Sequence, residues 1–161
     1  IILSGDSCGA NLALVLALKI QKLELPQPSG LILLSPFVDL TLTSESLRYN
    51  QVHDALLSIE TLESGIQYYV PSSIEHGNPE VSPYFADLTG LPPMHIQVGS
   101  KEILLDDAQR LRDKALAAGV EVEFKLYTGM WHNFQMFSAW FDEARQSLAD
   151  LANFAHRLDR D

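Results

Sequence analysis

The stretch IILSGDSCGANL at residues 1–12 constrains the fold more than any other part of the chain. Its first apolar residues read as the end of a strand, Gly5-Asp6-Ser7-Cys8-Gly9 as a sharp turn, and residues 9–24 (GANLALVLALKIQKLE) as a helix apolar on most sides. A strand that enters a helix through so short a turn presses backbone against backbone. Side chains at positions 5 and 9 are expected to collide there, which accounts for Gly5 and Gly9. A helix apolar on most of its surface belongs against a sheet. The turn pushes the Ser7 hydroxyl outward, and the N-terminus of the helix aims N–H groups at the same spot.

The remaining segments extend this start into an α/β pattern. Residues 30–35 (GLILLS) form a continuous apolar run closed by Pro36, which marks a strand covered on both faces. Residues 44–70 are amphipathic and read as two helices that join near Leu57 and Ser58, with Ser58 as a loose cap. Five of the eight prolines fall in 71–93, an irregular segment that Tyr84, Phe85 and Leu88 should keep ordered. A strand at 94–99 (MHIQVG) leads to a helix over 105–118, with Asp106 and Asp107 placed for the helix dipole. Gly119 stops that helix. Residues 120–127 alternate as an edge strand would, and 138–159 form a last amphipathic helix. This order predicts a mostly parallel sheet of about four strands flanked by helices.

Composition narrows the partners. The 161 residues suit one domain, and their net charge of −10 includes no basic cluster. A nucleic-acid backbone or an anionic lipid surface would need positive charge that is missing here. The apolar run from Leu12 to Ile20 is interrupted by Lys19 and is too short to span a bilayer. Cys8 is the single cysteine, so no disulfide forms within the chain, and a reducing, cytoplasmic location is expected. The chain opens inside a strand without an initiator methionine, which leads us to expect a processed or partial chain.

A serine hydroxyl becomes a nucleophile only beside a base. Of the five histidines, His53, His76, His95 and His156 read as surface or structural residues. His132 stands apart, in GMWHNF (129–134) just beyond the strand 120–127. Active sites of open α/β sheets gather at that carboxyl edge, where Ser7 also lies. The N–H of Cys8 would serve as an oxyanion donor. An acid is expected between serine and histidine in chain order, in the loop GSKEILLDD (99–107).

These segments together resemble the hormone-sensitive-lipase-like branch of the α/β-hydrolase carboxylesterases. GDSCGANL is similar to that family's GDSAGGNL motif, SPFVDL (35–40) to its strand-end motif, VSPYFADLTGLPPMHIQVGS (81–100) to its approach to the acid strand, and WHNFQ (131–135) to its histidine motif. The resemblance implies an α/β-hydrolase fold of which residues 1–161 are the C-terminal part, with 44–72 a cap-like helical insertion. It implies Ser7 as nucleophile and His132 as general base, acting on small acyl esters without cofactor or metal. By this resemblance the family's aspartate falls at position 101, where the chain has lysine. Lysine cannot accept the histidine Nδ1–H bond, so impaired activity is expected. Glu102 is the substitute to consider, although one step along a tight turn should aim it elsewhere. Asp106 and Asp107 are assigned to the helix start, and Asp6 to a place too near the elbow to reach the far side of His132.

The family's HGGG-type oxyanion loop, its earlier strands and the first part of its cap have no counterpart in this sequence. We therefore expect a companion chain or a second copy along the open sheet edge. Phe37, Tyr69 and Trp131 are candidates for the acyl pocket, while Met130 and Met136 read as packing. The alternative is an inactive fragment with a structural or self-association role.

Overall fold

The computed structural model describes residues 1–159. Its elements run β1 (Ile2–Asp6), α1 (Cys8–Lys22), β2 (Gly30–Leu34), α2 (Ser46–Tyr49), α3 (Ile59–Tyr69), β3 (Met94–Gly99), α4 (Leu105–Ala117), β4 (Val122–Tyr127) and α5 (Asp142–Leu158). Short 3₁₀ turns occupy Pro83–Phe85 and Phe134–Phe137. The four strands lie in the order β1-β2-β3-β4, all parallel, with Ile2 opposite Gly30, Leu31 opposite Met94 and Met94 opposite Val122. This is the α/β sheet of about four strands that the sequence predicts.

The continuous apolar run at 30–35 falls on β2, which with β3 forms the centre of the sheet. Leu31, Leu33, Met94, Ile96 and Val98 are buried, and they share a core with Ala10, Leu14 and Ala17 of α1 and with Ala108, Leu111 and Ala115 of α4. Small residues on α1 let that helix lie close to the sheet. The other face is covered by α5, where the fully buried His95 ring lies 5.3 Å from Phe154 and Gln97 Nε2 donates to Ser147 O. A second apolar cluster sits under the 44–72 segment, built from Phe37, Leu40, Leu62, Ile66, Ile103 and Leu104.

Several elements differ from expectation for identifiable reasons. The helix predicted from residue 44 is a single turn, after which 50–58 form turns held by Asp54, whose Oδ1 accepts from the N–H groups of Leu56 and Leu57. Ser58 caps α3 as expected, accepting from Thr61 N at 3.3 Å. β4 is an edge strand, but both of its faces are half-buried: Phe124 joins the core under the Arg112 guanidinium, while Glu123 and Lys125 pair with groups on α5. The last helix begins only at Asp142, because the 3₁₀ turn at 134–137 packs Trp131 edge-on against Phe137 and Phe141. Met136 is 73% exposed, so it does not pack as expected.

Asp106 and Asp107 do stand in the first turn of α4, yet both side chains turn toward the segment after β2. Asp106 accepts from Ser46 N and the Tyr49 hydroxyl. Asp107 is buried and accepts from Val38 N, Asp39 N and the Ser44 hydroxyl. Burial outweighs these bonds and pushes Asp107 up to about 6 from an ordinary 3.8. The folded chain therefore holds this proton more tightly than the unfolded chain does. Its contribution favours folding at low pH and is lost as pH rises through the interval between the two values. We expect Asp107→Asn to remove a pH-dependent loss of about 3 kcal/mol between pH 3 and 7, at roughly 1.4 kcal/mol per unit. Urea midpoints for the two proteins across that range test it, and parallel curves would take Asp107 out of the balance.

Candidate active site

Ser7 joins β1 to α1 with φ 54° and ψ −119°, a conformation that non-glycine residues adopt only when their surroundings force it. Four backbone bonds do so: Ser7 N donates to Leu34 O at 2.8 Å, and Ser7 O accepts from Phe37 N at 3.2 Å, Ala10 N at 3.1 Å and Asn11 N at 3.4 Å. The elbow is thus fastened to the end of β2. A Cβ on Gly5 would lie 2.2 Å from the Gly9 carbonyl oxygen, so the required glycine is real at position 5. At position 9 the expectation fails, because a Cβ there would meet nothing within 4 Å. It is the Gly9 backbone, not its side-chain position, that crowds the elbow. Among the described residues, nothing accepts from the N–H of Cys8, and no acidic side chain occupies the first turn of α1. The helix end is left open to a negative charge.

His132 follows β4, at the far side of the sheet from β1. Three strand spacings separate those positions, about 14 Å. The loop after β4 covers that distance by crossing the tops of β3 and β2. Gly129 (φ 81°) and Asn133 (φ 52°) bend the chain on either side of His132. Crossing β3, the loop presses so close that a Cβ on Gly99 would lie 2.3 Å from Met130 O, and Lys101 N donates to that same oxygen at 2.9 Å. Over β2, Asn133 N approaches Ser35 Oγ at 3.5 Å. At β1, Asn133 Nδ2 donates to Asp6 Oδ2 at 3.1 Å, next to Ser7. Asp6 therefore reaches the histidine loop, though at Asn133 and not at His132. Among the described residues no hydrogen bond joins Ser7 Oγ to the His132 ring.

The acid position overturns one expectation outright. Glu102 does not point elsewhere: its side chain is fully buried, with Oε2 3.1 Å from His132 Nδ1. Oε1 accepts from Gly99 N at 2.6 Å and from Ser35 Oγ at 2.8 Å. The reason is a tight turn in which Glu102 N donates back to Gly99 O, so that residue 101 faces solvent and residue 102 returns beneath the histidine. Burial raises the Glu102 pKa, opposed by its bonds with His132, Gly99 and Ser35. Each oxygen of this carboxylate therefore has a partner.

A pocket of about 350 Å³ opens beside Ser7 between the start of α1 and α3, lined by Cys8, Phe37, Leu62, Ile66 and Tyr69. Its floor is held by Asn11, whose Nδ2 donates to Phe37 O and Val81 O, both at 2.9 Å. Phe37 and Tyr69 line it as expected, whereas Trp131 is committed to Phe137 and Phe141. Sequence reasoning missed Ser35, whose only signal was a polar residue ending an apolar run before proline. Among the described residues, no cluster of three His, Cys, Asp or Glu could hold a metal, and no helix is long and apolar enough to cross a membrane.

Comparison with known proteins agrees with this fold. Residues 1–136 match a family described by the alpha/beta hydrolase fold. An esterase of Acinetobacter venetianus is 66% identical over all 161 residues, which cover 53% of its own length. A crystal structure of a hormone-sensitive lipase from a metagenome library superposes with a TM-score of 0.94 at 41% identity, over 98% of this chain and 53% of that one. An esterase of the bacterial hormone-sensitive lipase family gives a TM-score of 0.89 at 33% identity, over 98% and 53%. The chain spans about half the length of the relatives it matches.

Proposed function

The chain belongs to the hormone-sensitive-lipase-like branch of the α/β-hydrolase carboxylesterases, and on that footing we propose that it hydrolyses small acyl esters through Ser7, His132 and Glu102. In this reading Ser7 Oγ attacks the ester carbonyl while His132 Nε2 takes its proton and passes it to the leaving alcohol. Glu102 accepts the His132 Nδ1–H bond and stabilises the imidazolium as it forms. The unclaimed N–H of Cys8 donates to the oxyanion at the start of α1. The acyl group occupies the apolar pocket under the 44–72 segment, which acts as part of a cap. The observation that carries this reading is the buried Glu102–His132 contact at 3.1 Å. Lys101 is exposed, so its charge lies outside that contact.

A second reading is a silent fragment that associates with another chain. It draws on the half-open edge strand β1 and on Leu12 and Leu16 of α1, which are 52% and 45% exposed. In the enzymatic reading the same edge receives the chain that completes the oxyanion hole.

Diethyl p-nitrophenyl phosphate separates the two. Attack by Ser7 should release p-nitrophenol and leave a diethylphosphoryl group on that serine, located by mass spectrometry of the N-terminal peptide. A folded chain that stays unlabelled for hours would favour the fragment reading, with its mass in solution reporting the association.

A further inference from the structure

Asp54 lies in the turns between α2 and α3, and the reaction scheme above assigns it nothing. Its carboxylate accepts from four backbone N–H groups in three separate segments. Two belong to its own turn, Leu56 N at 3.2 Å and Leu57 N at 3.3 Å, both on Oδ1. The third is Ile103 N, 3.0 Å from Oδ2, which directly follows Glu102. The fourth is the N–H of His132 itself, 3.3 Å from Oδ1. One half-buried side chain thus holds the residue after the acid and the base.

Its neighbours reinforce the acid side of this arrangement. Asn50 is buried, and its Nδ2 donates to Ser100 O at 3.1 Å and Glu102 O at 2.8 Å. Ser46 Oγ donates to Ile103 O at 2.6 Å. Residues 46–54 therefore satisfy one face of the acid loop, while the other is held by Tyr127 O and Met130 O from the histidine loop. Of these groups, only Asp54 takes bonds from both loops at once.

We propose that Asp54 is a positioning residue that clamps the acid and histidine loops together and so holds Glu102 against His132 Nδ1. The proposal rests on the esterase reading for its effect on turnover, but its structural content does not. A carboxylate suits this place because it offers acceptors only, whereas an amide would aim two donors at N–H groups. The segment around it thereby has a second duty besides roofing the pocket. It sets the distance inside the acid–base pair.

The test uses the chain as it stands, with Asp54→Ala, Asp54→Asn and the exposed neighbour His53→Ala as control. The readout independent of activity is solvent exchange of the His132 Nδ1 proton, followed by proton NMR. We expect exchange at least tenfold faster in Asp54→Ala with the fold retained by circular dichroism, a smaller rise in Asp54→Asn, and no change in His53→Ala. Should Asp54→Ala not fold, Asp54→Asn decides by the same measurement. Ester hydrolysis, where present, should show kcat lowered about 10- to 100-fold with KM within twofold, the scale of a small misplacement. Exchange equal to that of the wild type in the folded variants would overturn the clamp. Absence of hydrolysis in the wild type would remove the esterase reading and leave the exchange result to judge Asp54.

Discussion

Glu102→Ala is expected to lower kcat for a short p-nitrophenyl ester by about 10⁴-fold, the scale seen when the acid of a Ser-His-Asp triad is neutralised. Lys101→Ala should leave kcat within twofold. The contrast follows from the turn at the end of β3, which sends the lysine to solvent and the glutamate beneath the histidine. Glu102→Gln is the sharper version, since it keeps the volume and can still accept from Gly99 N and Ser35 Oγ through one oxygen. Its amide would then present donors to Nδ1 and favour the wrong imidazole tautomer. We expect it to lose nearly as much as the alanine variant. Full activity in Glu102→Gln would detach the buried carboxylate from the reaction. The pH dependence has a definite sign. Because burial raises the Glu102 pKa, the carboxylate takes up its proton, as pH falls, above the ordinary glutamate range. The acid limb of activity should lie correspondingly high.

The sheet was legible because its signals are local. GLILLS is a continuous apolar run, the mark of a strand covered on both faces, and MHIQVG sets Met94, Ile96 and Val98 at alternate positions. The strand-turn-helix start was equally plain, and Ser7 and His132 stand at the carboxyl ends of their strands as expected. Glu102 was a different problem. Which of two adjacent residues turns inward depends on a bond from Glu102 N to Gly99 O and on Asn50, 52 positions away, gripping the Glu102 carbonyl. No pattern within GSKEILLDD encodes that choice. Asp54 and Ser35 were invisible for the same reason, since their partners come from loops 49 to 98 positions distant. Asp106 and Asp107 stand in the first turn of α4 as expected, but that placement does not tell what their side chains bind. Their placement at a helix start suited a local rule, while the side chains answered to distant backbone donors.

The elbow glycines supply the second large effect, and it needs no assay of activity. The Cβ introduced by Gly5→Ala would stand 2.2 Å from Gly9 O, 2.3 Å from Gly9 C and 2.7 Å from Ala10 N. All three are backbone atoms, so no side chain can rotate away to relieve the overlap. Relief would require shifting the first turn of α1 off β1, and α1 carries Ala10, Leu14 and Ala17 into the main core. Ser7 would lose its bonds to Leu34, Phe37 and Ala10 in the same movement. Overpacking against backbone of this kind costs about 3 kcal/mol or more, which corresponds to a fall in Tm of roughly 6–12 °C in a chain of this size. Gly9→Ala is the matched control. Its Cβ meets open space, and an alanine early in α1 gains helix propensity of up to about 1 kcal/mol. Thermal unfolding of the two variants should therefore move in opposite directions. A Gly9→Ala protein as damaged as Gly5→Ala would overturn this account of the elbow.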